Sequence, residues 1–491
     1  MKRLAVGIPR NLTNAFWLTG GRLTAHFANF ALFVLLSRFF GPDGLGQYAV
    51  GMALGGLLYA AVSLGIEDYA IREGARQTPL VRRDFVGRLL GTQISTALVA
   101  VLVLIVFVMI VSYSPSQVAI VLLLASYQLA LAFSRTLFVP AFSLQEMRVP
   151  SLLELATRLS ATMASATLII LGAPLVLALV PIPLSGLAFL VFGIGSARKY
   201  DQGLTAEVGL GALRKTLLAI WPFAVSILVY QLYARADVIM LSFMRGEADA
   251  GIYASSFKFL EVGALPLYFM GVSAYPALSD LFARQDSRFS RAALGFQLPL
   301  LLAASLLAWG LLFVAPHILV PALGEEFRAA IPVVRTLAIL AILVGIETAT
   351  MRLLLVANLQ VTRLKHQASA AGLNIVLNFF LIPPYGVLGA VWASISSHLA
   401  MVVLYYAALS TVSRTLAYRR ALRKFVASLV AVSLVGWAFG LAGSSEWGVA
   451  LATLVSFGAR DPTKRRTRSV SRAALSQEKV SARASPNWRF L

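Results

Sequence analysis

Leu36–Ala49 reads LSRFFGPDGLGQYA, and Leu241–Ala254 reads LSFMRGEADAGIYA. Laid on one another without gaps, Leu36 matches Leu241, Ser37 matches Ser242, Gly41 matches Gly246 and Gly46 matches Gly251; Tyr48 and Ala49 match Tyr253 and Ala254. Each copy leaves one long apolar run, turns at a glycine and starts another run. A repeat of this kind predicts a chain made of two similar halves. Both copies lead from an odd-numbered run to an even-numbered one, so both halves have the same topology, related by an axis along a membrane normal.

Apolar runs surround both copies. They fall at 12–36, 45–66, 89–112, 117–139, 150–172, 175–196, 216–236, 250–276, 292–315, 330–357, 366–383, 386–410 and 422–442, with a short one at 446–459. Most are long enough to cross a hydrocarbon layer of about 30 Å as a helix. Of 491 residues, 59% are hydrophobic and 13% charged, with a mean hydropathy of +0.80, too little polar surface for a soluble domain of this size. The first run is too long for a signal core and carries Arg22, so it predicts a retained helix. The expected fold is an all-α integral membrane protein with about 14 transmembrane helices. Residues 1–200 and 201–412 form two parallel-repeat six-helix lobes, 413–459 a further helix pair, and 460–491 a basic, disordered cytoplasmic tail.

The connections alternate in charge. Arg72, Arg76, Arg82, Arg83 and Arg88 crowd one loop, and Arg284, Arg288 and Arg291 another, whereas the intervening loops carry almost only Arg38, Arg245 and Arg328. Basic residues collect on the cytoplasmic side, which places the N-terminus, and after an even number of spans the C-terminus, in the cytoplasm of an inner membrane. The same rule accounts for the net charge of +21 without nucleic acid. Outer loops such as 112–117 and 383–387 are too short for the chemistry of membrane glycosyltransferases or polymerases. There is no cysteine, the histidines (His26, His317, His366 and His398) are scattered, and no phosphate loop, hydrolase elbow or zinc pattern occurs. The expectation is a non-enzyme with no catalytic residues, metal or cofactor.

Five stretches carry a family resemblance: LLSRFFGPDGLGQYAVGMALGGLL at 35–58, LGIEDYAIREGAR at 64–76, ADVIMLSFMRGEADAGIYASSFKFLE at 236–261, SAYPALSDLF at 273–282 and GLNIVLNFFLIPPYGVLGAVWAS at 372–394. In this order they resemble bacterial O-antigen and exopolysaccharide flippases, of the superfamily that also holds multidrug extruders and lipid II flippases. The resemblance implies a carrier that moves a polyprenyl-diphosphate-linked oligosaccharide repeat unit from the inner to the outer leaflet by alternating access. The lipid bilayer, the lipid-linked glycan and the polymerase and assembly proteins of a polysaccharide pathway are the candidate partners.

Charged residues inside membrane helices cost roughly 2.5–3.5 kcal/mol at the centre, and tend to face a cavity or a partner. Arg22, His26 and Asn29 share one face of the first helix. Glu154 and Arg158 lie one turn apart, as a self-neutralising pair or a cavity lining. Gln231 and Arg235 share a face with Asp237 close by, and Lys258 and Glu261 precede Pro266, which can bend its helix. Arginine grips a diphosphate through paired hydrogen bonds, and lysine meets it as a point charge. Candidate substrate contacts are therefore Arg22, His26, Asn29, Arg158, Gln231, Arg235 and Lys258, with Arg22 and Lys258 expected to face each other across the lobes. Arg335 and Arg352 read as cations snorkelling to the interfaces. Each unit charge crossing 100 mV changes energy by about 2.3 kcal/mol, so outward movement of an anion is electrically downhill and a coupling ion would reset the carrier. Glu154, Glu261 and Glu347 are the candidate proton or sodium sites. Asn374 and Asn378 read as helix-bridging amides, and the turn glycines as packing devices.

Two relatives compete with this reading. A cation-coupled multidrug extruder would favour a deep free acid in the first half, where Glu154 already sits beside Arg158. A lipid II flippase shares the mechanism and differs in cargo.

Overall fold

A computed structural model describes residues 10–412 apart from 75–77, 145, 201–204 and 287, with side chains in the first helix described from Ala28 onward. The expected helix pair at 413–459 and the basic tail lie outside the described residues, and with them the final count of spans. Among the described residues there is no strand, as hydrocarbon demands of a chain that must satisfy its backbone polar groups within each segment.

The helices run α1 (Arg10–Ser63), α2 (Ile66–Gly74), α3 (Pro79–Val111), α4 (Pro115–Leu137), α5 (Val139–Ser143), α6 (Arg148–Ile170), α7 (Leu175–Leu179), α8 (Pro181–Tyr200), α9 (Leu210–Arg245), α10 (Glu247–Gly263), α11 (Leu265–Ala283), α12 (Phe289–Trp309), α13 (Ala315–Leu323), α14 (Ala330–Val356) and α15 (Gln360–Val412). Among the described residues, ten helical stretches are long and apolar enough to cross a membrane. At 54 and 53 residues, α1 and α15 would each run about 80 Å if straight, more than twice a hydrocarbon core. Each therefore holds two crossings, joined at Gly41 (φ 62°) and Gly386 (φ 54°). The protein is a multi-pass membrane protein. Its lipid-facing surface is apolar: Leu98, Met109 and Ile110 of α3 stand largely exposed, a patch that water would not tolerate.

Three prolines mark breaks in the remaining runs, whereas Pro222, Pro276 and Pro299 lie inside continuous helices. Pro266 sits in the first turn of α11, where its missing N–H is no loss, so the run expected as one helix breaks at Ala264. Pro316 follows a π turn at Gly310–Val314 and starts α13. Pro181 separates α7 from α8.

The two repeat copies meet. Gly41 and Gly246 are both left-handed, at φ 62° and 103°, the conformation that glycine alone adopts without strain. Beyond these turns α1 packs closely on α10. Arg38 adds a further tie at this end, its Nε donating to the carbonyl of Ala322 at 2.8 Å and its terminal nitrogen to that of Pro321.

Candidate functional site

Helices α1, α4, α6 and α8 enclose a cavity of about 170 Å³, whose polar lining includes Asn29, Tyr48, Tyr127, Gln128, Arg158 and Thr162. Asn29 of α1 and Arg158 of α6, two of the expected substrate contacts, thus line one cavity. One turn before Arg158 on α6, Glu154 accepts from it at 2.8 Å. Arg135 of α4 reaches both oxygens of Glu154 through one terminal nitrogen at 2.7 Å, and Glu67 of α2 at 3.4 Å through the other. Two guanidinium groups and two carboxylates balance, which is what makes a half-buried charge cluster tolerable. Glu154 is committed to this cluster. Arg158 is not used up: its Nε is buried without a hydrogen-bond partner among the described residues.

A second group of cations lies where α9 and α10 pack on α1. Gln231 donates to the carbonyl of Gly56 at 3.1 Å, and the bare Cα of Gly56 lets Gln231 and Arg235 come close. Arg235 Nε is buried without a hydrogen-bond partner among the described residues. Lys258 pairs with Glu261 at 3.0 Å and lies 5.8 Å from the ring centre of Phe33 on α1, so it does reach toward the first helix. Its side chain is 20% exposed and that of Glu261 57%, an open pair rather than a sealed one. The side chains of Arg22 and His26 lie outside the described residues. Arg352 sits 5.6 Å from the ring of Tyr268 on α11, its Nε buried without a hydrogen-bond partner among the described residues.

A third polar centre holds the second half together. Asp237, 6% exposed, accepts from the hydroxyls of Tyr253 and Ser394 on one oxygen and from Asn378 at 2.5 Å on the other. Asn378 also donates to Asn374 at 3.0 Å. Asn378 bridges α15 to α9 as expected, through a carboxylate that sequence reasoning noted only as a neighbour, while Asn374 accepts from Asn378 within α15. The repeat carried a signal: Tyr253 is the counterpart of Tyr48, and by the same offset Asp237 is the counterpart of Leu32. Tyr48 and Leu32 line the first-half cavity, whereas Tyr253 and Asp237 bond to each other. Glu347, an expected coupling acid, lies 3.5 Å from Nε2 of His398. Among the described residues no cluster of histidine and acidic side chains could hold a metal ion.

The sequence family described as polysaccharide biosynthesis protein matches residues 12–282, more than half of the chain. The chain belongs to the polysaccharide biosynthesis protein family. Several solved structures share its fold. The lipid II flippase MurJ in an inward closed conformation superposes with a TM-score of 0.70 at 13% identity, covering 91% of this chain and 96% of its own. The MATE multidrug transporter DinF-BH gives 0.51 at 15% identity, covering 85% and 98%. An inward-facing multidrug resistance transporter of the MATE family, of the MOP superfamily, gives 0.50 at 14%, covering 80% and 96%. No curated protein matches this family member in sequence. At these identities the likenesses show the fold: this polysaccharide biosynthesis protein has the architecture of MOP-superfamily transporters.

Proposed function

We propose that this protein is a flippase rather than an enzyme. It carries a polyprenyl-diphosphate-linked oligosaccharide, the repeat unit of an O-antigen or exopolysaccharide, from the inner to the outer leaflet of the cytoplasmic membrane. The halves 1–200 and 201–412 alternate access about a central cleft, with both termini cytoplasmic. Family membership supports the polysaccharide pathway, and the transporter fold supports carriage across the bilayer.

The observation that carries the reading is a set of arginines with donors to spare: Arg158 at the first-half cavity and Arg235 beside Gly56, each with a buried Nε that has no hydrogen-bond partner among the described residues. An unmatched buried donor is unfavourable, roughly 1–3 kcal/mol, until an acceptor arrives. A diphosphate supplies several acceptor oxygens and the opposite charge. Lys258, facing α1 across the cleft, adds a third cation, and Arg22, His26, Asn29 and Gln231 complete the proposed polar path. The polyprenyl tail remains in lipid.

Complementation tests this. In a strain lacking its polysaccharide flippase, wild type restores surface polysaccharide, and Arg158→Ala, Arg235→Ala and Lys258→Ala at matched expression do not. Rescue of a lipid II flippase-deficient strain instead would move the cargo to lipid II, the substrate named for the structure with TM-score 0.70. Drug resistance without either rescue would favour an extruder, which the pinning of Glu154 between two arginines argues against.

A further inference from the structure

Near the middle of the membrane, α14, α15 and α9 bring an acid, an imidazole and a phenol together. Glu347 lies about 14 Å from the Val356 end of α14, and His398 about 18 Å beyond the Gly386 turn, at 1.5 Å per residue. Glu347 Oε2 is 3.5 Å from His398 Nε2. On the other side of the ring, Nδ1 is 2.6 Å from the Tyr233 hydroxyl and 2.8 Å from the Ser394 carbonyl.

These contacts restrict where protons sit. A carbonyl only accepts, so the Ser394 contact requires a hydrogen on Nδ1. With Nδ1 protonated, a neutral ring turns a bare Nε2 toward Glu347. Two acceptors facing each other need one more proton between them, either on Glu347 or on Nε2. In both placements the pair is net neutral, which suits a buried site. If that proton leaves, the pair holds a single negative charge. The remaining ring hydrogen then serves best on Nε2, donating to the carboxylate. Nδ1 becomes bare, loses the Ser394 carbonyl and accepts from Tyr233.

We propose that Glu347 and His398 form a proton-binding pair whose loading switches the imidazole between Ser394 and Tyr233. Ser394 passes the state on, because its hydroxyl donates to Asp237 of α9 while its carbonyl holds the ring. Loading takes one proton from water and releasing returns it; no other group changes its bonds. The charged and titratable groups that act on Glu347 are Arg363 and Tyr405 of α15 and Tyr230 and Tyr233 of α9; Arg235 of α9, Glu261 of α10 and Tyr268 of α11 act on Tyr230, and Asp237 of α9 on Tyr233. Arg363, whose Nε is buried and unpartnered, stands ready as the countercharge when the proton leaves. That the proton resets a carrier rests on the flippase reading; the site itself does not.

Four histidines make selective labelling practicable. The full chain carrying ¹³C,¹⁵N-histidine, in lipid bilayers, is titrated by solid-state NMR, and His398 is assigned by the signal missing from His398→Gln. The expected result is an Nδ1-protonated ring at low pH giving way to the Nε2–H tautomer at high pH. Glu347→Gln moves that midpoint by about one pH unit or more, a tenfold change in proton affinity. Should Glu347→Gln not fold, Tyr233→Phe supplies the second reading: without its hydroxyl donor the bare Nδ1 loses its partner, and the Nδ1–H tautomer gains several-fold at high pH. One unchanging tautomer across the titration, or a midpoint indifferent to both substitutions, overturns the pair. If the switch is seen but wild type rescues no flippase-deficient strain, the pair stands and the flippase reading falls. If wild type rescues and His398 does not switch, the pair falls and the flippase reading stands.

Discussion

Gly46 and Gly251 occupy the same position in the two repeat copies, and they pack against each other's copy in the same way. A Cβ on Gly46 would overlap the carbonyl oxygen of Glu247, and a Cβ on Gly251 would overlap that of Pro42, the residue equivalent to Glu247 in the first copy. The same Cβ on Gly251 would lie 3.0 Å from the amide nitrogen of Gly46. Two helix starts are thus pressed backbone to backbone, joining the two repeat copies.

That contact predicts non-additivity. Gly46→Ala and Gly251→Ala should each destabilise by about 1–3 kcal/mol, as overpacking does. Once the first methyl has parted the helices the second has less to disturb, so the double variant should fall short of the sum by at least about 0.5 kcal/mol. Thermal unfolding in detergent measures it; strict additivity would mean the two glycines do not share one contact.

Asp237 should matter to folding before it matters to transport. Asp237→Ala leaves the hydroxyls of Tyr253 and Ser394 and the amide of Asn378 without their acceptor in a buried site. At roughly 1–3 kcal/mol per stranded group, a loss of at least about 2 kcal/mol is expected, and less for Asp237→Asn, which keeps one acceptor. Equal melting temperatures for wild type and Asp237→Ala would contradict the network.

Arg135 and Arg158 should separate structure from function. Arg135 pairs with both Glu67 and Glu154, so Arg135→Ala takes one countercharge from each of two carboxylates; with side chains 14–28% exposed, and Glu154 keeping Arg158, the loss falls between surface and fully buried pairs, about 2 kcal/mol. Arg158→Ala leaves Glu154 with Arg135 and should cost less stability while abolishing complementation. The reverse order in a thermal melt would sink this division of roles.

Arg235→Ala removes a guanidinium with no hydrogen-bond partner at Nε, so its stability should stay within about 0.5 kcal/mol of wild type while surface polysaccharide is lost. Arg235→Lys keeps the charge without the paired donors and should restore activity only in part. A large drop in melting temperature for Arg235→Ala would make it a structural residue.

Outside the membrane spans, the side chain and then the backbone amide of Arg288 hold the Asp286 carboxyl down at about 2. A depressed carboxyl contributes above its ordinary value and loses that contribution as pH falls through the folded one, so this turn should loosen between about pH 4 and pH 2. Exchange of the Arg288 amide, 2.8 Å from Asp286 Oδ1, should accelerate across that window in wild type and show no such step in Asp286→Asn.

The sequence by itself determined the class of fold and much of its punctuation. Long apolar runs can only be membrane helices, because hydrocarbon offers no partner for a free backbone group. The repeated glycines had to mark turns, because this follows from backbone geometry within a few residues, whereas Pro266, read as a bend within one helix, marks a break at Ala264. Helical spacing was also enough to pair Glu154 with Arg158 and Lys258 with Glu261. Only the tertiary structure decided what met across helices. It joined Arg135 of α4 to Glu154 of α6, set Arg352 against Tyr268, gathered Asp237, Tyr253, Asn378 and Ser394 from three helices, and placed His398 against Glu347. The rotation of each helix about its axis decides these meetings, and packing sets that rotation. A polar residue at a given depth can therefore be read from the sequence, but its partner cannot.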